Sequence, residues 1–225
     1  AGTGLKATVK LSGWAGKTES GAYAIIIPVE LEGVTVNGYT FTKDAGFPTT
    51  GFKGAEFTLK LSSGSASDLT WTSDASWVSV RDGVVSFTGT GTKDKVTIMG
   101  TPKSGGTAIT YSFTLSSWYI NDGSTRLTWT DAAAYCSAQS GYSQATVQQL
   151  NGNASQSHGI QGTLGGLWSE WGNVSSYSGA GFFGNNYWSS EQRSLTGHYG
   201  VLLSNGKVYS YSDFTTHYVV CRQGL

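Results

Sequence analysis

Charge is scarce in this 225-residue chain: Asp, Glu, Lys and Arg together make up 12%, roughly half the usual share, and their formal charges cancel to zero. No stretch gathers Lys and Arg, so the footprint that phosphate neutralisation needs is missing and nucleic acid is not an expected partner. No run of 18 apolar residues is present, so nothing reads as a membrane-spanning helix. The N-terminus lacks a basic-then-apolar leader, and the chain reads as a mature or excised piece. There are only two cysteines, without CxxC or zinc-type spacing, which argues against redox catalysis and structural zinc. GxSxG, P-loop and Rossmann glycine patterns are missing. Gly89-Thr-Gly-Thr-Lys93 has the wrong spacing for a phosphate loop.

What is present in quantity is glycine, at 32 residues, and aromatic side chains, at 13%. That many rings can build a core, which argues against disorder. Low charge with abundant Ser, Thr and Gly suits a β-rich exported protein. Composition changes near Trp118: residues 118–225 hold only four of the fourteen Lys and Arg, but both Cys, all three His, five of the eight Trp and nine of the twelve Tyr. Two domains are therefore expected, 1–117 and 118–225, joined stiffly, because Tyr111-Ser-Phe-Thr-Leu-Ser-Ser-Trp118 runs across the boundary without a linker.

The first half reads as strands. Thr8-Val-Lys-Leu and Phe57-Thr-Leu-Lys-Leu alternate, and Tyr23-Ala-Ile-Ile-Ile-Pro-Val is a buried-type run. Asn37-Gly38 and Asp82-Gly83 supply tight hairpin turns. This is the pattern of an all-β, immunoglobulin-like sandwich. The second half is α+β. Thr130-Asp131 is expected to cap one helix, and Thr146 with Gln149 forms a capping-box pair that Gly152 closes. An aperiodic Gly, Ser, Asn and Trp stretch over 152–186 follows, then a hairpin around Asn205-Gly206 and a last strand, His217-Tyr-Val-Val-Cys221. Cys136 falls on the first helix and Cys221 on the last strand. They are either unrelated buried thiols or a bridge, and an even count in an exported chain favours the bridge.

Thr70-Trp-Thr-Ser-Asp, Gly83-Val-Val-Ser-Phe-Thr-Gly-Thr-Gly and Thr101-Pro-Lys-Ser-Gly-Gly-Thr are similar to bacterial immunoglobulin-like repeats. Trp118-Tyr, Leu127-Thr-Trp-Thr-Asp-Ala-Ala-Ala-Tyr-Cys136, Trp188-Ser-Ser-Glu191 and Tyr218-Val-Val-Cys221 resemble the C-type-lectin-like tip domain of the intimin and invasin adhesins. The resemblance implies an all-β immunoglobulin-like sandwich followed by an α+β C-type-lectin-like domain. It implies the distal end of an inverse autotransporter passenger, held on the extracellular side of the outer membrane by an upstream β-barrel. It also implies binding to a host protein (an integrin, another surface protein, or a secreted protein such as immunoglobulin) rather than catalysis. Glycan recognition without calcium is the alternative, and an enzyme or variable display domain on the same scaffold is a second rival.

The chemistry of sites adds constraints. His158, His198 and His217 lack HxxxH spacing and read as surface or structural residues. Glu170 and Glu191 are the pair that glycoside hydrolysis would use, though nothing in their spacing requires it. A calcium site of the lectin type needs a cis-proline loop and several carboxylates. No proline follows Pro102, so neither a metal nor any other cofactor is expected. Trp118, Trp129, Tyr135, Trp188 and Tyr218 are expected in the core. The candidate recognition residues are Trp168, Trp171, Tyr177, Phe182, Phe183, Asn185, Asn186, Tyr187, Tyr209, Tyr211 and Phe214, since amphipathic rings and amides give contact area at low entropic cost. Tyr209 and Tyr211, two apart on a strand, share one face, with Val208 on the other.

Overall fold

The computed structural model describes residues 29–225. The strand read at 8–11, and all but Val29 of the run read at 23–29, lie outside the described residues. The chain order is β1 (Leu31–Val36), β2 (Tyr39–Thr42), β3 (Thr50–Phe52), β4 (Glu56–Leu61), β5 (Leu69–Ser73), β6 (Val78–Arg81), β7 (Val84–Phe87), β8 (Val96–Pro102) and β9 (Ile109–Phe113). Then come β10 (Ser117–Leu127), α1 (Trp129–Ala138), β11 (Ser143–Gln144), α2 (Val147–Asn151), α3 (Leu167–Trp171), β12 (Asn186–Ser194), β13 (Gly197–Leu202), β14 (Lys207–Ser212) and β15 (His217–Gly224).

The first half packs a five-stranded sheet, ordered β2-β1-β4-β7-β6, against a three-stranded one, β5-β8-β9. Alternation is the reason: Phe57 and Leu59 of β4 are buried while their neighbours Glu56, Thr58 and Lys60 are exposed. Asn37 and Gly38 take left-handed φ values of 45° and 84° in the turn joining β1 to β2, and Asp82 and Gly83 take 48° and 78° between β6 and β7. These are the two-residue hairpins expected from Asn-Gly and Asp-Gly.

The second half is a sheet ordered β14-β13-β12-β15-β10-β3, with β11 pairing β15. Its last member, β3, comes from the first half and runs parallel to β10, Thr50 opposite Ser117 and Phe52 opposite Tyr119. One hydrophobic cluster consequently runs from Val34 and Phe57 through Trp118 to Leu150, Trp171 and Val220. Trp118 fits because Gly51 and Gly91 stand where a Cβ would come within 2.7 and 2.6 Å of its ring. A second, smaller cluster of Ala132, Cys136, Trp188, Val219 and Cys221 lies beneath α1.

α2 follows its sequence signals: Thr146 accepts from the Gln149 amide at 3.1 Å, Gln149 answers to the Thr146 amide at 2.9 Å, and Gly152 closes the helix at φ 83°. Such a cap contributes about 1 kcal/mol. α1 starts two residues earlier than expected, because Thr128, not Thr130, accepts from the Asp131 amide. Both threonines stand near the same acid, and only Thr128 has the extended backbone of a cap. α3 is an addition, a short helix inside the stretch read as aperiodic. Of the expected core rings, Trp118 and Trp188 are buried, whereas Trp129, Tyr135 and Tyr218 are half-buried.

Candidate recognition surface

Five of the candidate recognition residues are removed from the surface. Trp171 is fully buried, packing on Phe47 and Phe52 at ring distances of 5.0 and 5.5 Å and donating its indole N–H to Thr50 Oγ1 at 3.0 Å. Tyr177 and Phe182 lie edge-on to Phe52 at 5.3 and 5.1 Å, and the Tyr177 hydroxyl donates to the Trp171 carbonyl at 2.7 Å. Tyr187 is buried against Phe182 and Tyr218, its hydroxyl accepting from the Phe183 amide at 2.8 Å. Trp168 is buried against Gly206, whose φ of 71° brings that turn onto the indole. The expectation that these five rings are recognition residues is thus corrected: they are buried. Trp171, Tyr177 and Phe182 extend the first half's aromatic core, while Trp168 and Tyr187 pack within the second half.

The same junction holds Glu170, fully buried. It accepts from the amides of Thr49 and Thr50, both at 3.0 Å, from Thr50 Oγ1 at 2.8 Å, from Gly165 N at 2.7 Å and from the Thr49 hydroxyl. Burial pushes its carboxyl above the usual range, and hydrogen bonds from Gly165, Thr49 and Thr50 offset this only in part. Glu191, the other acid of the hydrolytic reading, accepts from the Val147 amide at 2.6 Å at the start of α2 and from Gln156 at 3.3 Å. Each acid thus serves a separate structural contact.

Six candidates remain accessible to differing degrees. Phe183 is half-exposed and stacks on Tyr218 at 5.1 Å. Asn185 is exposed, Asn186 half-buried, Tyr209 exposed and Phe214 the most open of the set, at 82%. Tyr211 is half-buried, 4.0 Å from the His217 ring and edge-on to Trp188 at 6.1 Å. The shared face expected for Tyr209 and Tyr211 is present, with Val208 packed toward the large core. Leu195, 96% exposed in the turn between β12 and β13, was missed. Its only signal is a lone leucine among polar residues, Arg193-Ser-Leu-Thr-Gly197, and a search weighted to aromatics passes over it.

Leu195 and Phe214 belong to one hydrogen-bonded frame. The Asp213 amide donates to the Thr196 carbonyl at 3.0 Å, Trp129 N donates to the Asp213 carbonyl at 3.3 Å, and Arg126 donates to the Thr216 carbonyl at 2.8 Å. Leu127 of β10 pairs with His217 here, whereas Ser117, at the strand's other end, pairs with β3. The frame therefore lies at the end of β10 away from the first half. His198 Nδ1 meets Asp213 Oδ1 at 2.6 Å while its ring stacks on Trp129 at 3.6 Å. Among the described residues no hydroxyl meets its other nitrogen, and no group of three or more His, Cys, Asp and Glu is placed to hold a metal ion.

His217 supports this frame from below. Burial beneath Trp188 and Tyr211, aided by Arg126, lowers its pKa from 6.5 to about 4. One ring nitrogen meets Thr215 Oγ1 at 3.2 Å and the other is buried without a partner, so nothing is in place to hold a second proton. Because the folded value is depressed, the unfolded chain takes up this proton first. This group's contribution is fully present above about pH 6.5 and is lost as the pH falls from there toward 4. Urea midpoints measured from pH 7 to pH 4 should show this loss in the native chain, and His217→Gln should lack that share of the slope.

Both halves together constitute an immunoglobulin-like sandwich carrying a C-type-lectin-like domain. The family described as Invasin, domain 4, matches residues 32–113. The inverse autotransporter adhesin YeeJ of Escherichia coli (strain K12) is 33% identical over 198 residues, 85% of this chain and 8% of that protein. Invasin of Yersinia enterocolitica is 28% identical over 167 residues, 72% of this chain and 19% of that one. The chain spans a small part of either relative. A crystal structure of invasin, described as a bacterial integrin-binding protein, superposes with a TM-score of 0.75 at 24% identity, covering 88% of this chain and 40% of that one. A 282-residue C-terminal fragment of intimin, solved with the intimin-binding domain of the translocated intimin receptor, superposes at 0.64 and 18% identity, covering 87% and 66%. The chain is thus similar to the intimin and invasin adhesins, in its first half through the invasin domain and along most of its length through these relatives.

Proposed function

We propose that this chain is the distal end of a bacterial outer-membrane adhesin and that it binds a protein on, or secreted by, a host cell, without catalysis. In this reading residues 1–117 are a stiff spacer and residues 118–225 the recognition domain. A β-barrel elsewhere in the full protein displays both outside the cell. The relatives support the class: one is described as integrin-binding, and another was solved with a receptor domain bound. The observation that carries the reading is the position of Leu195 and Phe214. They are the two most exposed large apolar side chains among the described residues, on joined turns at the end of β10 away from the first half. Exposed apolar groups at the free end of a stiff unit mark a contact surface. Leucine and phenylalanine have no hydrogen-bonding group with which to read sugar hydroxyls, which favours a protein partner over a glycan.

The 225-residue chain should bind cultured epithelial cells, and the double variant L195A/F214A should bind about tenfold or more weakly with an unchanged denaturation midpoint. Unchanged cell binding by that variant would move the contact elsewhere. Strong signals on a glycan array, lost in the same variant, would favour the lectin reading.

A further inference from the structure

The last strand on one side of the second half's sheet, β14, has β13 on one flank and, among the described residues, no strand on the other. The register between them runs without a bulge from Gly197 opposite Ser212 to Leu202 opposite Lys207. The Val208 amide turns away from β13 and donates to His158 Nδ1 at 3.3 Å. By the alternation of an antiparallel ladder, Ser210 and Ser212 also turn their backbone groups outward. The Ser212 carbonyl is taken by the following turn, through the Thr215 amide at 3.0 Å and hydroxyl at 2.7 Å. This leaves the Val208 carbonyl, both groups of Ser210 and the Ser212 amide without a partner among the described residues.

Sheet edges are normally protected by charge, proline or bulges. β14 has no proline or bulge, and its single charge, Lys207, stands at its first residue. By contrast, β2 is followed at once by Lys43-Asp44, and β6 ends on Arg81 before Asp82. Tyr209 stands exposed on one side of this edge, so a segment laid against it would find backbone partners and a ring to cover.

We infer that β14 is a strand-addition site, taking a short extended segment of a partner protein that pairs with Val208, Ser210 and Ser212 and lays apolar side chains over Tyr209. The inference rests on the adhesin reading for its biological setting, and on the free edge alone for its chemistry. The segment is short because the loop ahead of β14 closes one end: Gly159 N donates to the Gly206 carbonyl at 2.9 Å and His158 occupies the Val208 amide. The same loop argues against a second copy. Antiparallel pairing of two β14 strands about Ser210 would place Ser212 of the copy opposite Val208. Its next residues would then run into the space held by His158 and Gly159.

Ser210→Pro tests this, because it removes an outward N–H without removing a rung to β13. Ser210→Ala retains that N–H and controls for the hydroxyl. A phage-displayed library of random dodecapeptides, selected on the native chain, should yield segments alternating apolar residues. Their affinity should fall about tenfold or more in Ser210→Pro and stay unchanged in Ser210→Ala. Hydrogen exchange at the Ser210 and Ser212 amides should slow when a selected peptide is bound. No selected peptide, equal binding by Ser210→Pro, or a dimer of the native chain that this variant abolishes would each overturn the inference. Cell binding by Ser210→Pro at the native level would overturn it while leaving the adhesin reading standing. Failure of the native chain itself to bind cells would count against that reading.

Discussion

Glu170→Ala should cost about 3–5 kcal/mol of stability, because it leaves five donors, two buried and three part-buried, facing a hole. Water entering the space can answer some of them but not all, since Phe47, Phe52 and Trp171 close the neighbourhood. Glu170→Gln conserves volume and one carbonyl oxygen, yet turns an NH2 toward other N–H and O–H groups. It should cost roughly 2 kcal/mol. Thr50→Val, which removes one hydroxyl, should cost about 1 kcal/mol. Urea denaturation of the three variants orders them, and hydrogen exchange locates the damage. Protection should fall first at Thr49, Thr50 and Trp118, before the hairpin of β13 and β14 responds. A Glu170→Ala protein with native stability would mean that the junction is held by its rings alone.

The double variant C136A/C221A is the second large effect. The bridge joins residues 85 apart, with Cα atoms 5.3 Å from one another, and in the loop-entropy model opening such a loop costs roughly 4–5 kcal/mol. α1 has little else to hold it, since its only other buried residue is Ala132. Trp129 adds a half-buried stack on His198 and an indole bond to the Ser189 carbonyl at 2.8 Å. Loss of the bridge should therefore lower the denaturation midpoint and free α1 first, seen as early amide exchange over its residues. An unchanged midpoint would show that the second core is sufficient without the bridge.

Local signals in the sequence were legible where the structure answers them locally. Asn37-Gly38, Asp82-Gly83 and the Thr146/Gln149 box each act within a few residues, so their hairpins and helix could be placed. The bridge was legible because an even cysteine count leaves few choices. β3 was not: it is three residues long, and its partner Ser117 stands on the far side of six further strands. Five of the eleven candidates proved buried for a related reason. Rings that bind and rings that fill a core have the same composition, and what separates Trp171 from Phe214 is the cluster of phenylalanines that the other half of the chain packs against it. Tyr209 was placed outward correctly because a period of two needs no knowledge of a distant partner. Leu195 escaped because exposure, unlike aromaticity, cannot be read from one residue type.

The pairing of β10 has a mechanical meaning. In the proposed adhesin role, the chain would be pulled along its length when the cell is swept by flow, from the cell at one end and from the bound surface at the other. β10 lies between β15 and β3, so tension passing from one half to the other runs along its strand direction and loads the rungs on both flanks together instead of opening them one by one. Shear of that kind resists rupture better than peeling does. The chain would fail under load at a bound partner or in a hairpin before it parted at the junction, and a single-molecule pull on Glu170→Ala would show that order reversed.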